Sequence, residues 1–213
     1  MYQAYIFDLD GTLLDTLDDL HSAVNAALVA YSLPIRTREE VRRFVGNGVK
    51  KLMERAVGVD NHPDQAAILA YFKEYYGEHC KDKTKPYEGV LELLRELRAR
   101  GKKCAVASNK ADFAVKKLAA EYFDGLLLAA VGENEAGGVK KKPAPDCIFS
   151  LLKKMSVDVS EAVYIGDSEV DIQTAKNAGL PCISVTWGFK EKEFLLQNGA
   201  DCLVDRPLEI LKI

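Results

Sequence analysis

Short apolar runs separated by helical stretches constrain this 213-residue chain more than any other feature. They fall at 4–9 (AYIFDL), 103–107 (KCAVA), 126–131 (LLLAAV), 162–165 (AVYI), 181–185 (PCISV) and 202–204 (CLV). Strands buried on both faces read as continuous apolar runs, and helices between them cover those faces. The pattern predicts an α/β fold, a Rossmann-like parallel sheet with helices on both sides. The helices are well punctuated. Leu91, Leu94 and Leu97 form a stripe that stops at Gly101, and Pro143 suits the first turn of a helix through Met155.

One interval breaks the rhythm. Roughly 90 residues separate the first two runs, where a simple crossover needs a few dozen. The excess reads as helical. Leu17, Leu20, Val24, Leu28 and Tyr31 follow a three-to-four spacing, and Thr37 with Glu40 makes a capping box before Val41 and Phe44. Ile68, Tyr71, Phe72 and Tyr75 make a further stripe. The expected organisation is a core of residues 1–14 and 84–213, with an inserted α-helical cap of residues 15–83 whose connections emerge beside the first strand.

That strand ends in "FDLDGT". Alternation puts Asp8 and Asp10 on one side, with Phe7 and Leu9 on the other. Two carboxylates about 6 Å apart repel by about 3 kcal/mol at an effective dielectric near 20. Either a bound cation relieves this, or the strand frays and the acids belong to a solvated turn with Gly11 and Thr12.

Composition narrows the classes. The 29 basic and 32 acidic residues give a net charge of −3, and the longest basic run is Lys140–Lys142, so a nucleic-acid surface is not expected. No apolar run approaches a membrane span, and no basic-then-apolar leader opens the chain. The expectation is a soluble, cytoplasmic protein, monomer or homodimer. Five scattered cysteines, without C-x-x-C spacing or an arginine six positions on, predict reduced thiols rather than zinc, redox or cysteine-phosphatase chemistry. Histidines 21, 62 and 79 lack metal-ligand pairing.

Parallel sheets bind ligands at the carboxyl ends of their strands. Ser108 and Asn109 follow the second run; a Gly-rich loop after the third leads to Lys142; "GDSEVD", with Asp167 and Asp171, follows the fourth. Each fragment alone could be a helix cap, a solvated lysine or an acidic first turn. Together they line one rim with a hydroxyl, an ammonium and four carboxylates.

The ordered set Asp-x-Asp-Gly-Thr, Ser-Asn, Lys-Pro-x-Pro and Gly-Asp-x-x-x-Asp resembles the haloacid dehalogenase superfamily of phosphohydrolases. "VNAAL", "FVGNGVKKLMERAVG" and "GADCLVDRPLEIL" are similar to its phosphoglycolate phosphatase branch. The resemblance implies a phosphomonoester hydrolase acting on a small phosphate ester. Asp8 would be the nucleophile that forms an aspartyl-phosphate, and Asp10 the acid that protonates the departing oxygen. The implied cofactor is Mg²⁺, held by Asp8, Asp167 and the Asp10 carbonyl, with Asp171 in the outer shell. Ser108, Asn109 and Lys142 would hold phosphate oxygens, while Gly11 turns the chain and Thr12 braces it.

Other readings stay open. They are a phosphatase of sugar phosphates or pyrophosphate, a β-phosphoglucomutase-like mutase and, from another class, a phospho-accepting receiver domain. A dehalogenase would need neither Asp10 nor Asp167. For the substrate, Gly46 and Gly48 bracket Asn47 before an apolar stripe. This is either a plain turn or a helix start whose N–H groups, with Asn47, Lys50 or Arg55, meet a carboxylate such as that of 2-phosphoglycolate.

Overall fold

The computed structural model describes residues 2–134 and 140–213. The sheet is six-stranded, in the order β5-β4-β1-β6-β7-β8. Its strands are β1 (Ala4–Phe7), β4 (Lys103–Ala111), β5 (Ala129–Glu133), β6 (Ala162–Gly166), β7 (Cys182–Val185) and β8 (Cys202–Val204). All pairings are parallel, and β1 lies between β4 and β6 with Ala4 opposite both Lys103 and Ala162. The covering helices are α5 (Val90–Ala99), α6 (Asp112–Phe123), α7 (Asp146–Met155), α8 (Glu169–Ala178) and α9 (Lys192–Gln197). Sheet residues alternate between two apolar cores. Tyr5 and Phe7 point into one, and Ala4 and Ile6 into the other with α7 and the buried face of α8.

Four sequence boundaries shift. β1 ends at Phe7 rather than residue 9, although the Asp8 N–H still donates to the Ile165 carbonyl at 2.8 Å. β4 runs on to Ala111, because pairing with β5 resumes there after an irregularity that the apolar pattern does not mark. β5 starts at Ala129, since Leu126 and Leu127 pack against the core from the preceding loop. Pro143 lies ahead of α7, which is preceded by Pro145.

The long interval holds α1 (Leu17–Ala30), α2 (Arg38–Phe44), α3 (Val49–Val57) and α4 (Gln65–His79), packed on one another. The capping box at Thr37 forms, with Glu40 N–H donating to the threonine hydroxyl. In α4 the buried stripe is Ile68, Phe72 and Tyr76, a strict i, i+4, i+8 row, while Tyr71 is exposed. The segment is bracketed by a two-stranded ribbon, β2 (Leu14–Asp15) antiparallel to β3 (Lys85–Pro86). Buried Asp19 anchors the return passage by accepting from Lys83 N–H, Thr84 N–H and the Thr84 hydroxyl. Outgoing and returning chain therefore sit side by side. Among the described residues no helix is long and apolar enough to cross a membrane. All five cysteines are free, three of them buried.

Candidate active site

The sheet's carboxyl rim gathers the polar residues. Asp8 follows β1, Ser108, Asn109 and Lys110 lie on the end of β4, and Asp167 and Ser168 follow β6. All of these line one cavity of about 40 Å³, together with Asp10 and the insert residues Leu20, Val45, Gly46, Gly48, Val49 and Leu52. The chain can place Asp10 there because it turns sharply after Leu9, whose carbonyl accepts from Leu13 and Leu14 N–H. Gly11 sits in the turn at φ +82°, and a Cβ there would collide with the Asp167 carboxylate. The Thr12 carbonyl accepts from Trp187 Nε1 at 3.0 Å, while its buried hydroxyl has no partner among the described residues.

The two motif aspartates do not share a partner. Lys142 Nζ lies 3.0 Å from Asp8 Oδ1 and 2.7 Å from Asp171 Oδ1, and it donates to the Tyr164 hydroxyl at 2.9 Å. Lys110 Nζ lies 2.9 and 3.1 Å from the two Asp10 oxygens and donates to the Tyr76 hydroxyl at 2.6 Å. Thr16 Oγ1 donates to Asp10 as well, at 2.8 Å. The repulsion implied by the Asp8–Asp10 spacing is thus opposed by two buried ammonium groups. Burial acts to lower the pKa of each lysine. Asp171 with Asp8 outweighs it at Lys142, and Asp10 with Tyr76 outweighs it at Lys110, so both stay charged above the ordinary lysine range.

Asp8, Asp167 and Asp171 bring carboxylate oxygens within 4.8 Å of one another. Burial pushes the Asp8 carboxyl up to about 6, with Lys142 opposing and Asp171 and Asp10 adding to the rise. Burial, then Asp171 and Asp8, pushes Asp167 well above the usual carboxylate range. Three crowded, desolvated oxygen donors fit a hard divalent cation, whose charge reverses this penalty. Within the group, Asp171 is the most fully occupied. Its second oxygen accepts from Ser168 N–H at 3.1 Å and the Ser168 hydroxyl at 2.6 Å, closing the cap of α8. Asp167 has one clear protein donor, Phe189 N–H at 2.7 Å. Asp10 stands outside the group, its carboxylate spent on Lys110 and Thr16.

The remaining expected residues divide. Ser108 faces the cavity. The Asn109 amide is consumed in bracing: Nδ2 donates to the Lys142 carbonyl at 3.0 Å and to the Gly46 carbonyl at 3.2 Å, and Oδ1 accepts from Lys142 N–H at 2.8 Å. It fixes the Lys142 backbone and ties the rim to the insert. The Gly-rich stretch before Lys142 falls largely at 135–139, outside the described residues. Gly48 does start a helix, α3. Yet the Asn47 side chain accepts from Arg55 Nη2 at 2.7 Å, Lys50 is exposed, and the cavity wall takes Gly46, Gly48, Val49 and Leu52 instead. Successive helical residues point about 100° apart, so a helix that turns Val49 and Leu52 inward turns Lys50 away.

Lys110, Tyr76 and Tyr164 were not singled out in the sequence. Period-two alternation on β4 puts Lys110 on the same side as Ser108, a signal available once the strand is carried past residue 107. Tyr164 was marked by a hydroxyl inside an otherwise apolar buried run.

Comparison with known proteins agrees with this geometry. The haloacid dehalogenase-like hydrolase family matches residues 5–185. A phosphoglycolate phosphatase of Caulobacter vibrioides is 36% identical over 213 residues, covering 97% of this chain and 88% of its own. A crystal structure from Lactobacillus delbrueckii subsp. bulgaricus, provisionally assigned as a phosphoglycolate phosphatase, superposes with TM-score 0.93 at 38% identity, over 98% of this chain and 96% of its own. CbbY from Rhodobacter sphaeroides, in complex with phosphate, superposes with TM-score 0.81 at 27% identity, over 99% and 96%. The chain belongs to the haloacid dehalogenase-like hydrolase family and is a phosphatase within it.

Proposed function

We propose that the protein is a Mg²⁺-dependent phosphomonoester hydrolase that works through an aspartyl-phosphate on Asp8 and acts on small phosphate esters such as 2-phosphoglycolate. The observation that carries this reading is the division of labour at the rim. Asp8 sits with Lys142, Asp167 and Asp171 in one buried cluster, while Asp10 faces the same cavity from a separate set of contacts.

In the first half-reaction Asp8 Oδ attacks phosphorus. A carboxylate-oxygen-to-phosphorus bond forms as the phosphorus–ester-oxygen bond breaks, and Asp10 delivers a proton to the departing oxygen. In the second half Asp10 takes a proton from water as it attacks phosphorus, releasing phosphate and restoring Asp8. Lys142 and Ser108 hold the non-bridging oxygens, and Lys142 keeps Asp8 oriented for in-line attack. Asp8, Asp167 and the Asp10 carbonyl would hold Mg²⁺, whose charge offsets that of the phosphoryl group. Asp171 acts from behind, by fixing Lys142 and Ser168. The helices of residues 15–83 act as a cap that closes the cavity through Gly46, Val49 and Leu52.

The phosphoglycolate phosphatase relatives support this choice of substrate. A second reading, hydrolysis of a sugar bisphosphate, is supported by the CbbY neighbour, a mutant of which has been crystallised with xylulose-1,5-bisphosphate. The test is phosphate release across a panel of metabolite phosphates, with Mg²⁺ and then with chelator. The expected result is highest kcat/KM on 2-phosphoglycolate. A tenfold advantage of any sugar phosphate or pyrophosphate, about 1.4 kcal/mol of transition-state discrimination, would overturn the substrate assignment and leave the chemistry standing.

A further inference from the structure

We propose that Lys110 is a specificity-determining residue: it selects phosphate esters whose leaving group carries a second negative charge close to the ester oxygen. The inference rests on the phosphatase reading above and adds to it the group that reads the leaving group.

Lys110 lies at the extended end of β4, and its side chain is 2% exposed. Nζ is placed by two elements at once. Asp10 holds it from the core, and the Tyr76 hydroxyl holds it from α4, with Nζ also 4.5 Å from the centre of the Tyr76 ring. A mere counter-ion for Asp10 would need the first contact alone. Lys110 is nonetheless part of the cavity wall.

The apolar part of that wall makes the charge selective, and its carboxylates, Asp8, Asp10 and Asp167, repel an anion that has no cation beside it. Leu20, Val45, Val49, Leu52 and Phe189 are apolar, so a leaving group bearing an anion loses its water on entering and must find a cation. Two of the cavity-lining residues are cationic. Lys190 is the other, and its Nζ lies 5.7 Å over the Phe194 ring. Lys142 is not part of that wall and pairs with Asp8 and Asp171 on the phosphoryl side. Lys110, paired with the proton donor Asp10, is the cation on the leaving-group side, and its distance from Asp10 sets what it can read. An ester oxygen that accepts a proton from Asp10 and an anionic oxygen bonded to Lys110 can be only a few ångströms apart, as in a phosphate ester with a carboxylate one carbon from the ester oxygen. Tyr76 strengthens the preference for an anion. From behind the cavity wall its hydroxyl accepts from Lys110 and holds the ammonium in place.

The test compares kcat/KM for 2-phosphoglycolate, ethyl phosphate and p-nitrophenyl phosphate in wild-type enzyme, Lys110→Met, Lys110→Arg and Tyr76→Phe. Wild type is expected to favour 2-phosphoglycolate over ethyl phosphate by at least tenfold. Lys110→Met is expected to lose about a hundredfold on 2-phosphoglycolate, mainly in KM, and less than tenfold on the other two esters, so that the preference collapses. Lys110→Arg should restore part of it, and Tyr76→Phe, which removes one hydroxyl, should shrink it about threefold. An equal loss on 2-phosphoglycolate and ethyl phosphate in Lys110→Met, whatever the loss on p-nitrophenyl phosphate, would show a residue that acts only through Asp10 and does not read the leaving group's charge, and would overturn the proposal. If Lys110→Met does not fold, Lys110→Arg and Tyr76→Phe decide, and an unchanged preference in both would overturn it. Wild-type enzyme with no preference for 2-phosphoglycolate overturns the substrate assignment and this inference together, whereas a preference that survives in every variant overturns this inference alone.

Discussion

The two halves of the site solve the same problem with different materials. Around Asp8 everything comes from the core sheet and its loops: Lys142, Tyr164, Ser168 and Asp171 form a closed network in which Lys142 and Tyr164 are fully buried and every Asp171 oxygen has a donor. Around Asp10 the contacts are shared, with Lys110 from β4, Tyr76 from α4 and Thr16 from the start of the insert. The first network takes no side chain from the inserted helices; the second takes Tyr76. On the proposed mechanism, phosphoryl chemistry is thus held by the core, while proton delivery and leaving-group recognition draw on the inserted helices as well.

The largest expected effect falls in the first half. Asp8→Asn should keep the fold and lower kcat by at least about a thousandfold, since removal of a nucleophile costs several orders of magnitude. Purified variant with phosphate release near wild type would remove Asp8 as nucleophile. Chelation should likewise abolish turnover, with Ca²⁺ restoring it poorly because it is larger and less strictly octahedral. Full activity in chelator would contradict the metal requirement.

In the second half, Asp10→Asn should cost about 10²- to 10⁴-fold, the usual worth of a positioned acid. The loss should be smaller on p-nitrophenyl phosphate, whose leaving group needs no proton. Equal losses on both esters would place Asp10 outside proton transfer.

Stability separates the halves further. Lys142→Met leaves Asp8 and Asp171 buried without their cation, and breaking such an arrangement costs about 3–5 kcal/mol. Lys110→Met strands one carboxylate, Asp10, which keeps its Thr16 donor, and should cost less than stranding Asp8 together with the wholly buried Asp171. Mg²⁺ should recover part of the first loss and little of the second, read as melting temperature with and without metal. Equal recovery would mean that the metal serves both halves. The smallest effect belongs to Lys50→Ala, which should change kcat/KM on 2-phosphoglycolate by less than about threefold, because the exposed side chain lies off the cavity wall. A tenfold loss would show that the cap closes farther, carrying Lys50 inward.

The sequence disclosed the first half better than the second. Asp8 and Asp167 directly follow apolar strands, an anomaly that local pattern exposes, and Lys142 and Asp171 stand in the motifs that follow the third and fourth apolar runs. Lys110 lay hidden because the apolar run stops at Ala107 although the strand does not. Tyr76 lay hidden because the stripe in α4 can be drawn through Tyr71 and Tyr75, and only packing selects the row 68, 72, 76. Asn109 was visible as a polar rim residue, but its role as a brace between Gly46 and Lys142 joins positions 63 and 33 residues away, which no local pattern encodes.

The small ribbon between Leu14–Asp15 and Lys85–Pro86 also bears on how the chain finds its fold. β1 must pair with β4 across the whole inserted segment, and closing so long a loop is entropically slow. Helices α1 to α4 pack on one another within the insert, α1 against α4 above all, and once they have assembled, zipping the ribbon shortens the effective loop roughly fourfold, worth about 1.2 kcal/mol of closure entropy. The insertion that interrupts the sheet in sequence thereby serves as the clasp that brings its first two central strands together.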